Sequence, residues 1–136
     1  MKLSNNFILE EFTRSNNGKR MGIKNEPDEK QIKNLQKLCV YLLQPLREIY
    51  DTPFYINSGF RCIELNRLIG GVAASQHTKG QAADVRVTNP HRLLSELLRL
   101  GIDFDQAILY ASFLHLSYNE ENNRRQVLYA KGVFAK

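Results

Sequence analysis

The chain has 136 residues, of which 43% are hydrophobic and 24% are charged. This length suits one compact domain and is too short for two, so we expect a single domain over residues 1–136. The composition is that of a globular protein and argues against wholesale disorder. The net charge of +5 favours approach to anionic polymers, but the basic residues are dispersed, so we expect no nucleic-acid partner.

The first residues show no secretory signal, because the apolar run in MKLSNNFILEEF is brief and is broken by two glutamates. No segment of the sequence is apolar enough to cross a bilayer, so we expect no membrane insertion and a chain that is cytoplasmic as synthesised. Cys39 and Cys62 lie 23 positions apart without C-x-x-C spacing. We therefore expect free thiols rather than a disulfide or a zinc knuckle.

The N-terminal third is predicted to be helical, most clearly in PDEKQIKNLQKLCVYLLQPLREIY, residues 27–50. Its apolar residues recur at steps of three and four and so share one face, which we expect to pack on the core. They are Ile32, Leu35, Leu38, Cys39, Leu42, Leu46 and Ile49. Pro27 and Asp28 indicate the start, and Pro45 should kink or split the helix near Gln44 because proline lacks a backbone donor.

The middle of the chain predicts strands separated by a short helix and a loop. FYINS, residues 54–58, alternates apolar and polar residues and indicates a strand that ends in a turn at Gly59. RCIELNRLI predicts a short helix closed by Gly70 and Gly71, and a loop follows to about Lys79. AADVRV resumes the alternation of a strand, which places Asp84 on its polar face.

The last third predicts one helix and further strands. HRLLSELLRLG after Pro90 is amphipathic, and FDQAILYASFLHLSY indicates one or two strands with a bend at Ala111–Ser112. RRQVLYA is compatible with an edge strand. Helices at both flanks with strands between them favour an α+β fold, with a central, mostly antiparallel sheet flanked by helices.

A metal site is suggested by two of the three histidines and one aspartate. Asp84 follows His77 by seven residues across a glycine-containing turn, and His115 would come from a neighbouring strand. Two imidazoles and one carboxylate are the ligand set of a catalytic zinc site with an open position. The alternatives are structural histidines and an Asp84 that caps a turn or pairs with Arg86 or Lys79. His91, at a helix start, is expected to be exposed.

Arg61 follows Ser58-Gly59 at the end of a predicted strand, where a long cation can reach across the sheet edge. A guanidinium beside a metal can polarise a carbonyl or hold a substrate carboxylate by two parallel hydrogen bonds. The alternative is an ion pair with Glu64 at helical i, i+3 spacing. Ser58, Asn66 and Ser75 either support a site or close turns, and composition alone favours turns.

Three stretches together resemble the M15 group of zinc D-alanyl-D-alanine peptidases: SGFRCIELNRLIGG, SQHTKGQAADVRV and HLSY. The likeness covers nearly the whole chain and is greatest to the short single-domain subgroup of bacteria and their phages. It implies a small hedgehog/DD-peptidase-like fold and a peptidoglycan stem peptide as substrate. It further implies zinc bound by His77, Asp84 and His115, with Arg61 binding or polarising the substrate and Ser75 close to it.

The resemblance also implies a catalytic glutamate just before the last histidine, and this sequence has none there. Ser112 stands three residues before His115, and Tyr110 follows the strand AIL. Three alternatives are open: Glu120 or Glu121 enters from the following loop, Tyr110 serves as proton donor or oxyanion partner, or the protein cuts slowly or never. General acid–base catalysis is worth about 10²–10⁴ in rate, so its loss would leave a feeble enzyme.

We therefore expect a zinc-dependent peptidase that cleaves peptidoglycan stem peptides with metal-activated water, as a D-Ala-D-Ala carboxypeptidase or an endolysin-type endopeptidase. Arg61 and Tyr110 are the candidate catalytic residues. The alternative is a non-catalytic or weakly active module that binds metal and cell-wall peptide. We expect a monomer, encoded by a phage or prophage, that reaches the cell wall after release by lysis or another route.

Overall fold

The architecture, seen in a computed structural model that describes residues 1–133, is α+β, as predicted. The described residues contain seven strands and six α-helices, in the order β1 (Lys2–Ser4), β2 (Phe7–Ile8), α1 (Leu9–Thr13), α2 (Asn16–Met21), α3 (Glu29–Leu38), α4 (Gln44–Ile49), β3 (Tyr55–Ser58), α5 (Ile63–Leu68), β4 (Ala82–Arg86), α6 (Pro90–Leu100), β5 (Gln106–Leu109), β6 (Phe113–Ser117) and β7 (Gln126–Tyr129). Within this range no helix is both long and apolar enough to cross a membrane.

The central sheet has five strands in the order β3-β4-β6-β5-β7, and all neighbours are antiparallel except β5 and β7. The prediction of a mostly antiparallel sheet is therefore confirmed. The stretch 104–118 forms two strands joined by the predicted bend, which is closed by a 3.0 Å hydrogen bond from the Tyr110 amide to the Phe113 carbonyl. The stretch RRQVLYA supplies β7 at the edge of the sheet, as predicted.

The prediction that the N-terminal third is helical was wrong for its first residues, which pair as the two-stranded antiparallel sheet β1–β2. Leu3 and Phe7 anchor this hairpin in the core. The side chain of Gln44 holds its turn, since it accepts from the Ser4 hydroxyl at 2.8 Å and the Asn6 amide at 2.9 Å. A partner about 40 positions away decides this structure, so the local pattern could not predict it.

The long helical region begins at the predicted cap, and its α-helical geometry is interrupted next to Pro45, as predicted. Asp28 and Gln31 form a reciprocal capping box at the start of α3, each side chain accepting from the other's backbone amide at 2.8 Å. Between α3 and α4 the chain forms a π-helix over Cys39–Leu43, in which the Gln44 amide donates to the Cys39 carbonyl. Pro45 cannot donate to an α-helical bond, and the wider turn before it accommodates that loss without ending the helix.

One face of the sheet packs on the core, and this determines which side chains face away. Ala83 and Val85 on β4 are fully buried, as are Leu114 and Leu116 on β6. Because successive residues of a strand point to opposite faces, Asp84 and His115 lie on the other face. Both cysteines are free, as predicted, and burial raises the pKa of the Cys39 thiol.

Gly59 lies where the chain leaves β3 and passes against α1. A Cβ atom built at Gly59 would stand 2.7 Å from both Cα and Cβ of Phe12, a fully buried residue. The next amide, of Phe60, donates to the Phe12 carbonyl at 2.7 Å. The close approach therefore requires glycine and fixes the segment that leads to Arg61.

We expect Gly59→Ala to destabilise the protein, because the new methyl group meets Cα and Cβ of the fully buried Phe12, which have no space to move aside. Overpacking of this kind costs about 1–3 kcal/mol, equivalent to a melting temperature lower by at least about 4 °C. The matched control is Gly18→Ala in α2, whose Cβ would make ordinary contacts of 3.4–3.5 Å with Ser15 and Ile23. Calorimetric melting of both variants checks this, and equal stability of the two would contradict the packing argument.

Candidate active site

The candidate site is a cluster of three side chains on the face of the sheet that points away from the core. Asp84 of β4 and His115 of β6 are directly opposite each other in the strand register. His77 belongs to a 3₁₀ helix, Gln76–Lys79, that leads into β4. The segment predicted as a loop thus contains a helical turn, and this turn presents the second imidazole to the strand pair.

The potential ligand atoms of the three residues all lie within 4.8 Å of one another. Asp84 Oδ1 lies 2.8 Å from His115 Nδ1 and 3.4 Å from His77 Nε2. A tetrahedral zinc ion with bonds of about 2.0–2.1 Å needs ligand atoms about 3.4 Å apart, so this donor set fits such an ion with small adjustments. The cluster is therefore compatible with a metal site, as the sequence predicts.

Backbone and side-chain hydrogen bonds orient His77. Its Nδ1 donates to the carbonyl of Gly59 at 2.7 Å, which leaves Nε2 to face Asp84. The Ser75 hydroxyl accepts from the His77 amide at 3.2 Å and so caps the 3₁₀ helix. Such second partners commonly fix the tautomer and ring direction of a metal-binding histidine.

Asp84 is held as a carboxylate. Burial by itself would raise the pKa of Asp84, but the interactions of its carboxylate with the imidazoles of His115 and His77 outweigh burial and hold this pKa below its usual range. The alternatives in which Asp84 pairs with Arg86 or Lys79 are wrong, because among residues 1–133 the groups within 4 Å of its carboxylate oxygens that could pair with it are the two imidazoles. An anionic oxygen between two imidazoles is a suitable donor for a divalent cation.

Arg61 lines the same cleft as the cluster, beside Ser75. Its Nη2 donates to the Ser75 hydroxyl at 3.4 Å, and its buried Nε has no partner in the described part of the chain. Burial lowers the pKa of the guanidinium, and the nearby Asp84 opposes that effect. Within residues 1–133 no ion pair joins Arg61 to Glu64, so that alternative is wrong.

The cleft around the cluster has a volume of about 320 Å³ and is open to solvent. Apolar side chains form much of its wall: Val72, Ile108, Tyr110 and Phe113. The rings of Tyr110 and Phe113 stack with centroids 4.3 Å apart. The cleft thus has potential metal ligands on one side and apolar side chains on the other, a combination that is common in ligand-binding sites.

Among the described residues that line the cleft, Asp84 is the one carboxylate. Glu120 is instead paired with Lys37 of α3, and Glu121 is exposed with its amide bonded to the Asn119 side chain. Ser112 lies exposed at the bend between β5 and β6 and does not line the cleft. Of the candidate proton donors that the sequence offered, Tyr110 lines the cleft, and Glu120 and Glu121 do not.

Other predicted polar residues have structural partners. Asn66 is buried and donates to the Val72 carbonyl at 2.8 Å, which holds the turn after α5. His91 lies in the first turn of α6 and is half-buried rather than exposed as expected, because the helix packs on the core. It is not a member of the cluster of potential ligands.

The sequence analysis did not single out Asp105, which holds a residue of the cleft in place by hydrogen bonds. This residue is 2% exposed, and its carboxylate accepts from the amide, Nε and Nη2 of Arg124 at 2.8–3.0 Å. It also accepts from Nε2 of Gln76 at 2.8 Å, and Gln76 lines the cleft next to His77. Its position just before a strand does not predict this role, because its two partners, Gln76 and Arg124, are distant in the sequence.

Comparison with known families identifies the chain. An α+β fold with a His–Asp–His cluster in an open cleft is compatible with a metal-assisted hydrolase. A family model described as Peptidase M15 matches residues 5–117, and the chain belongs to this peptidase family. No curated protein matches the chain.

The Asp105 ion pair predicts a loss of stability in acid. Hydrogen bonds from Arg124 outweigh burial and lower the pKa of Asp105 in the folded protein. The folded state therefore binds a proton less readily than the unfolded chain, so this stability is present above about pH 4 and is lost as the pH falls further. Denaturant unfolding should show Asp105→Asn less stable than the parent at pH 7, with the difference shrinking below about pH 4.

The matched control is Asp51→Asn, which removes an exposed carboxylate paired with Arg92. We expect this variant to follow the parent closely, since exposed ion pairs contribute little. A difference between Asp105→Asn and the parent that stays constant from pH 7 to pH 3 would contradict the argument.

Proposed function

We propose that this protein is a zinc-dependent peptidase that cleaves peptidoglycan stem peptides, as a D-Ala-D-Ala carboxypeptidase or an endolysin-type endopeptidase. The observation that supports it is the convergence of the ligand atoms of His77, Asp84 and His115 in an open cleft of an M15 family chain. A peptide bond next to this cluster would also meet the cation of Arg61. The proposed substrate is part of the bacterial cell wall, and the enzyme would act there.

Zinc, when bound by His77, Asp84 and His115, supplies a Lewis acid for the scissile carbonyl and an activated water. The residues of the chain then have separate tasks. Arg61 holds the carbonyl oxygen or a carboxylate of the substrate, with donors that the protein leaves largely unused. Ser75 fixes the guanidinium at one side. The Tyr110 hydroxyl would donate a proton to the leaving amine, and it would regain one from solvent, which takes up the proton released by the attacking water.

A second candidate is a module that binds metal and wall peptide but cuts weakly or never. The observation that favours it is the absence of a second carboxylate beside Asp84 among the described residues of the cleft. A phenol hydroxyl accepts a proton from water less readily than a carboxylate does, so Tyr110 replaces a glutamate only in part. The two candidates differ in whether new peptide ends are formed.

Purified protein with added zinc should cut synthetic stem peptides and contain one zinc per chain. Elemental analysis measures the metal, and mass spectrometry measures the new peptide ends. Asp84→Ala should lose both metal and cleavage, because it removes the anionic ligand between the imidazoles, and His77→Ala should do the same. A chelator should abolish cleavage in the parent.

His91→Ala is the control, since it removes the histidine that lies outside the cluster. It should retain full metal content and activity. Zinc in the parent without any cleavage would favour the binding module, whereas a parent without metal affinity would contradict both candidates.

Tyr110 gives a test of the acid–base assignment. Tyr110→Phe keeps the stack on Phe113 but removes the hydroxyl, so we expect kcat to fall about 10²-fold with little change in KM. Tyr110→Glu supplies a carboxylate and should raise the rate above that of Tyr110→Phe. Ile108→Val is a control on the same wall of the cleft. Equal rates for the parent and Tyr110→Phe would exclude a role for the hydroxyl.

A further inference from the structure

A second pocket adjoins the cleft at Arg61, which lines both. This pocket, here called the Arg14 pocket, has a volume of about 300 Å³. Its polar lining residues include Arg14, Ser15, Asn17, Asn57, Ser58 and Arg61. No aspartate or glutamate is among its described lining residues. Two guanidinium groups and several amide and hydroxyl groups therefore surround one hollow next to the cluster.

Arg14 is held in place without a carboxylate. Its Nη2 donates to the Ile56 carbonyl at 3.3 Å, and its guanidinium carbon lies 4.6 Å from the centre of the Tyr55 ring. The guanidinium of Arg86 also lies over this ring, at 4.3 Å, but Arg86 does not line the pocket. Stacking and one backbone bond orient Arg14 and leave most of its donors unused.

Among the described residues, no carboxylate lies within ion-pair distance of the two guanidinium groups of the pocket. Four other arginines are paired with carboxylates: Arg92, Arg99, Arg124 and Arg125. Within residues 1–133, neither Arg14 nor Arg61 has a carboxylate at ion-pair distance, and the Nε of Arg61 has no hydrogen-bond partner. Two guanidinium groups that face one hollow without an acid raise the local affinity for anions.

We propose that the Arg14 pocket binds a carboxylate of the peptide whose scissile bond lies at the His77–Asp84–His115 cluster, an inference that rests on the proposed function. Arg14 is then a specificity-determining residue, and Arg61 connects the two pockets. A guanidinium and a carboxylate match as planar forks, so an amide in place of the carboxylate loses the charge and one acceptor. The carboxylate is either the C-terminal group of the peptide or a side-chain group.

The test measures binding of the pentapeptide L-Ala-γ-D-Glu-L-Lys-D-Ala-D-Ala to the full chain. Isothermal titration is run on the protein as purified, and again with a chelator so that no bond is cut. Arg14→Gln should raise Kd about fivefold, the effect of losing one well-oriented but exposed ion pair. Arg86→Gln is the matched control, because it removes a cation from the same ring outside the pocket, and it should change Kd less than about twofold.

Two amidated peptides distinguish the sources of the carboxylate. One carries an amide at the C-terminus and the other an amide in place of the D-Glu α-carboxylate. Amidation at the recognised position should weaken binding to the parent about fivefold, and Arg14→Gln should then add no further loss. Arg14→Lys, which keeps the charge without the fork, should restore part of the affinity, and circular dichroism verifies that each variant is folded.

Equal effects of Arg14→Gln and Arg86→Gln would overturn the inference, as would indifference to both amidations or no binding of the peptide to the parent. The first two outcomes are separate from the failure of the proposed function, whereas the absence of binding would contradict both. Binding that depends on Arg14 without any cleavage by the zinc-loaded protein would reject the peptidase and keep the pocket. Cleavage that is independent of Arg14 would keep the peptidase and reject the pocket.

Discussion

The register between β4 and β6 is the constraint on which the site depends. Asp84 and His115 are direct cross-strand neighbours, and their side chains meet at 2.8 Å. If either strand slipped by one residue, its polar side chain, Asp84 or His115, would turn into the core, and its apolar neighbour, Val85 or Leu114, would turn to the opposite face. Because burial of those apolar neighbours enforces the register, the hydrophobic core stabilises the polar pair without touching it.

The third member of the cluster depends on contacts from distant parts of the chain. His77 is oriented by the Gly59 carbonyl, and Gly59 can approach only because it has no side chain beside Phe12 of α1. On the other side, Asp105 joins Gln76 to Arg124 near the C-terminal strand. The position of His77 therefore depends on three parts of the chain: the N-terminal helix, the middle loop and the C-terminal segment. A site supported in this way is preorganised, since its ligands need not be gathered when a metal binds.

Charge is distributed unevenly around the cleft, and this bears on its chemistry. Asp84 is the one anionic group among the described lining residues, whereas Arg61 and Arg14 bring unpaired cations to the cleft and to the adjoining pocket. Such a surface suits a peptide that carries free carboxylates. Under the proposed function, proton transfer would fall to Tyr110, whose ring stacks on Phe113.

Local sequence determined much of the architecture: the Asp28 cap of α3, the strand at 82–86, the helix closed by Gly101 and the bend between β5 and β6. These features depend on capping, on periodicity and on residues adjacent in the chain, so a single sequence reveals them. Spacing and family resemblance also identified the three residues of the cluster. Only the tertiary structure decided the β1–β2 hairpin, the support by Asp105 and the pocket between Arg14 and Arg61. Each of these three features depends on residues that lie between about 19 and 47 positions apart in the sequence. A local sequence pattern predicts which face of a strand or helix a side chain occupies, but it does not predict which distant residue that side chain contacts.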